Sequence, residues 1–283
     1  MSLVKLAELQ KEARKGGYAV PHFLGGNMEM VIGEIKAAED KKSPLAIGFA
    51  PEVFYMVPME MSLPLITEAA KRAKVPVATQ FEHGREFNTI VKAIKLGVTS
   101  VMFDGSNLPY EENIAQTREI VKVAHALGVS VEAELGSVGG SALTNVEIKD
   151  SLYTEPEMVP DFIKKTGVDS LAISFGNFHG KYRGAPNLDY DRVKKIDSLV
   201  DTPLVMHGGS GLQESDYKRC IECGISNIHF YTYVTMGLWD HLKNSLGYTE
   251  TKPVYHQIVD CTIDYFYRQT ENVINMLGSE NKA

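Results

Sequence analysis

Cysteine is scarce in this chain of 283 residues: Cys220, Cys223 and Cys261 are the whole set. Three cysteines build no disulfide framework, and an odd number argues against an oxidising compartment. Cys220-Ile-Glu-Cys223 has the spacing of a redox or metal motif. It falls in a helix-period segment, Glu214 to Cys223, without a second such pair or a preceding strand, so it reads as structural. Long apolar runs are also missing. The longest, such as Ser170-Leu-Ala-Ile-Ser-Phe175, have the length of a strand, and Met1 to Gly17 is an amphipathic, lysine-bearing segment without a signal-peptide core. These absences predict a cytoplasmic protein with no membrane partner. Positive charge is outweighed, with 29 Lys and Arg against 36 Asp and Glu and a net charge of −7. No basic face stands out, which argues against a nucleic-acid partner.

What is present is the composition of a globular chain, 44% hydrophobic and 23% charged, with a length that suits one large domain over residues 1–283. Eight short β-rich runs recur: Tyr18–Phe23, Pro44–Phe49, Val75–Phe81, Ser100–Phe103, Val129–Ala133, Ser170–Ser174, Pro203–Met206 and Ser226–Tyr231. Between them lie helix-period segments such as Met28–Lys41, Leu63–Ala73, Phe87–Leu96, Tyr110–Leu127, Glu157–Thr166 and Asp189–Leu199. Gly97, Gly128, Gly167 and Gly224 stop helices just before the next strand. Strand alternating with helix implies parallel pairing, and no Gly-rich dinucleotide turn follows the first strand, so the expected fold is a (β/α)8 TIM barrel rather than an open doubly wound sheet. Tyr255–Leu277 adds a C-terminal helix beyond the eighth unit, to cap the barrel or meet a neighbouring subunit. The pattern lapses from Gly136 to Tyr153, a long loop with glycines at its base, which suits a lid over a substrate.

Barrel enzymes work at the C-terminal ends of their strands. The residues expected there are Glu82 and His83, Asp104, Glu134, His179 and His207. Three imidazoles at one mouth make a catalytic zinc site, since neutral imidazole suits Zn²⁺ and a vacant fourth position accepts water or substrate oxygens. His125 falls mid-helix, and His22, His241 and His256 have no comparable setting. The turn His207-Gly-Gly-Ser-Gly211 follows the seventh strand, where barrels bind phosphate and glycines let backbone N–H groups approach an anion.

These stretches resemble, in order, the class II, metal-dependent ketose-bisphosphate aldolases of the fructose/tagatose-bisphosphate type. The matching segments are Gly17-Tyr-Ala-Val-Pro21, the strand ending in an acid–His pair, Val101-Met-Phe-Asp-Gly-Ser106, Val131-Glu-Ala-Glu-Leu-Gly136, Ser170-Leu-Ala-Ile-Ser174, His179-Gly180 with Pro186-Asn-Leu-Asp189, and Leu204 to Leu212. The resemblance implies one Zn²⁺ on His83, His179 and His207, with Glu134 and Asp104 as alternative or outer ligands. It implies a phosphate cradle of Gly180, Gly208, Gly209 and Ser210, and a monovalent cation nearby. Glu82 would move the proton of the hydroxyl on the carbon that becomes the aldehyde, while zinc stabilises the enediolate left by cleavage of a phosphorylated ketose.

Departures from the family pattern gather around the substrate. Glu82 stands where the family has Asp. His229-Phe-Tyr-Thr232 replaces a motif beginning with Asn, keeping only the substrate-side Thr232; Ser141 follows Gly139-Gly140 where an acid is usual, leaving Glu147 as the next acid; Leu24 replaces Asn. His229 and Tyr231 are expected to share the strand face toward the site and narrow it. The reading is therefore a divergent zinc aldolase, with a metal-dependent isomerase or epimerase, or a non-catalytic sugar-phosphate-binding homologue, as alternatives. A homodimer or homotetramer is expected.

Overall fold

The computed structural model of the chain describes residues 2–51, 57–140, 152–182, 184, 186–247 and 252–283. The elements in order are β1 (Leu3–Val4), α1 (Leu6–Gly16), β2 (Val20–Leu24), α2 (Met28–Lys41), β3 (Leu45–Phe49), α3 (Met59–Arg72), β4 (Val77–Gly84), α4 (Phe87–Lys95), β5 (Ser100–Phe103), α5 (Tyr110–Ala126), β6 (Ser130–Leu135) and β7 (Gly139–Gly140). They continue with α6 (Val159–Thr166), β8 (Ser170–Ile173), β9 (Phe178–His179), α7 (Tyr190–Leu199), β10 (Leu204–Met206), α8 (Glu214–Glu222), β11 (Ile225–Phe230), α9 (Thr232–Met236), α10 (Leu238–Leu246) and α11 (Tyr255–Leu277).

Eight strands, β2, β3, β4, β5, β6, β8, β10 and β11, pair in parallel, and β11 returns to β2 in the register His229–His22. The sheet is closed, so this is a (β/α)8 barrel with an extra C-terminal helix. Outward residues Phe23, Ile47, Phe49, Phe81, Phe103 and Val131 are buried under the helices, each such side chain stabilising by about 1.5–3 kcal/mol. The N-terminal end is plugged by α1, whose apolar stripe Leu6, Leu9 and Ala13 packs on Val20, Ala46 and Ala78 from inside the strands. On the same helix Gln10 sends its amide inward to Asn227 Oδ1 at 3.1 Å.

Barrel interiors are usually filled by branched apolar residues in layers. Among the described residues Met102, Ala172 and Val205 make one such cluster above the layer that α1 covers. His22, Gln80, Glu82, Glu132, Asn227, His207 and His229 are all buried too. α11 lies against α2, and Gly33 permits the contact, since a Cβ there would fall 2.6 Å from the Ile263 carbonyl oxygen. Two short helices, α9 and α10, were not legible in the sequence. The last strand also stops at Phe230, so Tyr231 precedes α9, packing against the core instead of continuing the strand alternation expected for it.

Candidate active site

Alternation would send Glu82 and His83 to opposite faces of β4. His83 instead has φ 47, left-handed for a non-glycine residue, and the β4–β5 register slips between Phe81 and Gly84. Such an irregularity re-aims a side chain, and the strain is held by the surrounding structure. Glu82 thus points down the barrel axis while His83 turns across the mouth.

There His83 meets His179 and His207. Their ring centroids lie 5.2, 4.7 and 5.6 Å apart, and one nitrogen of each falls within 4.8 Å of the others. His207 follows β10 directly. His179 does not end a barrel strand as the sequence suggested: β8 stops at Ile173, and β9, paired in parallel with β7, delivers the imidazole. Asn177 braces this connection, its amide nitrogen donating to the carbonyls of Ile173 and His207 at 3.2 and 3.0 Å.

Each outer partner orients a ring. His207 Nε2 lies 2.9 Å from Glu132 Oε1, leaving Nδ1 without a hydrogen-bond partner among the described residues. His83 Nδ1 faces Asp104 Oδ2 at 3.4 Å, and Asp104 also receives Arg85 at 3.1 Å and the Ser106 hydroxyl at 2.6 Å. Among the described residues His179 Nε2 and Glu134 Oε2 are likewise buried without hydrogen-bond partners, and Glu134 Oε2 sits 3.9 Å from His207 Nδ1. Two buried imidazole nitrogens and a buried carboxylate oxygen left over beside His83 are donors of the kind that suit a zinc ion, with Asp104 and Glu132 placed as outer acceptors. The residues therefore fit the metal.

Burial pulls the His83 imidazole down, but its contact with Asp104 more than reverses this and pushes it up to about 10. Burial, with His83 beside it, pulls His207 down to about 3, the neutral form a metal ligand needs. Burial, then His83, pull His179 well below the ordinary imidazole range. Burial and the Asp104 charge push Glu134 up to about 8.

Below the mouth, Glu82 is 1% exposed. Its Oε1 lies 2.9 Å from His22 Nε2 and its Oε2 3.2 Å from His229 Nδ1. The three form a second close group of metal-ligating atoms. His229 stacks between His22 and His207, at centroid distances of 3.8 and 4.3 Å. His22, set aside in the sequence, thus belongs to the centre. Its signal was a polar residue at an inward register on β2, beside His229 on β11.

The glycine turn is tightly packed. A Cβ on Gly208 would lie 2.2 Å from the Phe178 carbonyl oxygen, and one on Gly209 2.3 Å from Ile228. The Gly209 N–H already donates to the His229 carbonyl at 3.1 Å, so it is not a free donor for phosphate as expected. Ser210 Oγ accepts from the Tyr231 N–H at 3.1 Å. Gly180 adopts φ 92 directly after His179, and Thr232 opens α9. Glu147 and Ser141 lie outside the described residues.

The model of the family described as "Fructose-bisphosphate aldolase class-II" matches residues 4–282. The chain belongs to the class II fructose-bisphosphate aldolase family. Among relatives of this aldolase, the Escherichia coli K12 protein described as "Uncharacterized protein YdjI" is 35% identical over 274 residues, 97% of each chain. A crystal structure of the YdjI aldolase from the same organism superposes with TM-score 0.86 at 32% identity, covering 99% of both chains. A putative fructose-1,6-bisphosphate aldolase from Coccidioides immitis gives TM-score 0.88 at 26% identity over 98% of this chain and 97% of that one. No described helix of this class II aldolase is long and apolar enough to cross a membrane.

Proposed function

We propose that this aldolase is a zinc-dependent lyase that reversibly cleaves a phosphorylated ketose other than fructose or tagatose 1,6-bisphosphate. The observation that carries the metal assignment is the convergence of His83, His179 and His207 at the mouth with partnerless nitrogens on His179 and His207. Zn²⁺ held there would supply Lewis acidity, polarising the ketose carbonyl and easing the negative charge that develops as the C–C bond breaks. His207 is kept in the binding tautomer by Glu132, and His83 by Asp104. Glu82 is the group that takes the proton from the hydroxyl of the carbon becoming the aldehyde and returns it in condensation. His229 packs against both Glu82 and the ring of His207. Gly180, Ser210 and Thr232 are the proposed phosphate contacts, with Gly208 and Gly209 shaping the turn; a monovalent cation nearby and a homo-oligomer belong to the same reading.

The divergent substrate is supported by His229, an imidazole set against Glu82 beneath the mouth. The test is a panel of ketose phosphates assayed with and without zinc. Zinc-dependent cleavage of another ketose phosphate, with kcat/KM on either bisphosphate below about 10⁴ M⁻¹s⁻¹, supports the proposal. Higher values on either bisphosphate refute the divergence, and epimerisation without cleavage refutes the lyase assignment.

A further inference from the structure

We propose that His22, Glu82 and His229 form a second cation site, buried in the barrel beneath the mouth and suited to a divalent transition ion. The Nδ2 of Asn227 donates to the Val20 carbonyl at 2.9 Å, and its Oδ1 accepts from Gln10 Nε2 at 3.1 Å, which fixes the amide orientation. That Oδ1 faces His229 Nε2 at 3.1 Å and His22 Nδ1 at 3.5 Å. An oxygen there can only accept, so each ring turns an N–H toward Asn227.

A neutral imidazole has one N–H. With those protons directed at Asn227, His22 Nε2 and His229 Nδ1 both present lone pairs to Glu82, at 2.9 and 3.2 Å. Three acceptors then converge with nothing positive between them. His22 Nε2 and Glu82 Oε1, though 2.9 Å apart, are out of hydrogen-bond alignment, and both are buried without a hydrogen-bond partner. A single proton, on Glu82 or on one ring, would bridge one of these two contacts and leave lone pairs facing each other across the second.

One divalent ion satisfies all three atoms together. Bonds of ~2.0–2.2 Å at tetrahedral angles place ligand atoms roughly 3.3 Å apart, close to the spacings found. Two imidazoles and one carboxylate are a donor set for Zn²⁺ or its first-row neighbours rather than for Ca²⁺ or Mg²⁺. Asn227 then plays the outer acceptor that metal-bound histidines ordinarily have. Room for Glu82 comes from Gly48, where a Cβ would lie 1.6 Å from Oε1 and 2.8 Å from His22 Nε2.

The experiment is metal counting by elemental analysis on chelator-stripped protein reloaded with Zn²⁺ or Co²⁺ and desalted, with anomalous diffraction at the edge of the loaded metal to place each ion. Two ions per wild-type chain, one in His22→Ala and one in His83→Ala are expected, with an anomalous peak between His22, Glu82 and His229. A single ion in wild type, unchanged in His22→Ala but lost in His83→Ala, overturns this site and leaves the mouth site standing; the reverse pattern refutes the mouth site alone. Should His22→Ala fail to fold by circular dichroism, the wild-type anomalous map decides, and no peak at these three residues overturns the proposal.

Discussion

The Nε2 of His207 lies 2.9 Å from Oε1 of Glu132, and both side chains are fully buried. This contact decides which nitrogen of His207 is free for a metal. Glu132→Gln keeps the size and removes the charge, so zinc affinity at the mouth should fall about 10–100-fold. Competition against a chelator of known affinity measures it, and an unchanged constant would show that Glu132 does not tune the ligand.

Glu82→Gln should retain the mouth zinc while kcat falls at least roughly 10²-fold, the lower end for general acid–base catalysis. Metal content and turnover are measured on the same preparation. Full turnover with zinc retained would move the proton-transfer role to another acid, Glu147 being the first to examine.

Much of the barrel was legible because each strand–helix unit carries its own period and its own glycine stop. Six of the eight barrel strands end within one residue of their expected place, and Met28–Lys41 and Tyr255–Leu277 are helices over those very spans. His83 and His207 could be placed because they directly follow apolar strand runs. His179 was expected at a barrel-strand end, but its delivery by a two-residue strand paired with Gly139–Gly140 is a long-range contact that no local pattern encodes. His22 was missed for a similar reason. In sequence it is one polar residue between Pro21 and Phe23, and its meaning appears only when barrel closure sets β2 beside β11.

Gly48→Ala tests the packing around Glu82. The added methyl would occupy the place of the carboxylate oxygen, so overpacking should cost ~1–3 kcal/mol and displace Glu82. Denaturant midpoints check the first effect and turnover the second. A variant as stable and as active as wild type would contradict the interior position of this side chain.

Glu34 on α2 is fully buried, neither oxygen has a hydrogen-bond partner among the described residues, and burial pushes its carboxyl up to about 8 from an ordinary 4.5. The folded state therefore holds this proton more tightly than the unfolded state. Its contribution is most favourable below about pH 4.5 and is lost as pH rises toward 8, a change on the order of a few kcal/mol. Glu34→Gln should flatten the stability–pH curve across that window at equal metal loading. Identical slopes for the two proteins, from denaturant titrations at pH 5 and pH 8, would rule out a titrating Glu34.

The most direct test of the account is zinc content, by elemental analysis, of the wild type and of His83→Ala, His179→Ala and His207→Ala after identical loading. Each variant should fold and carry one ion fewer per chain than the wild type. Wild-type zinc content in all three would contradict a metal centre built from these histidines.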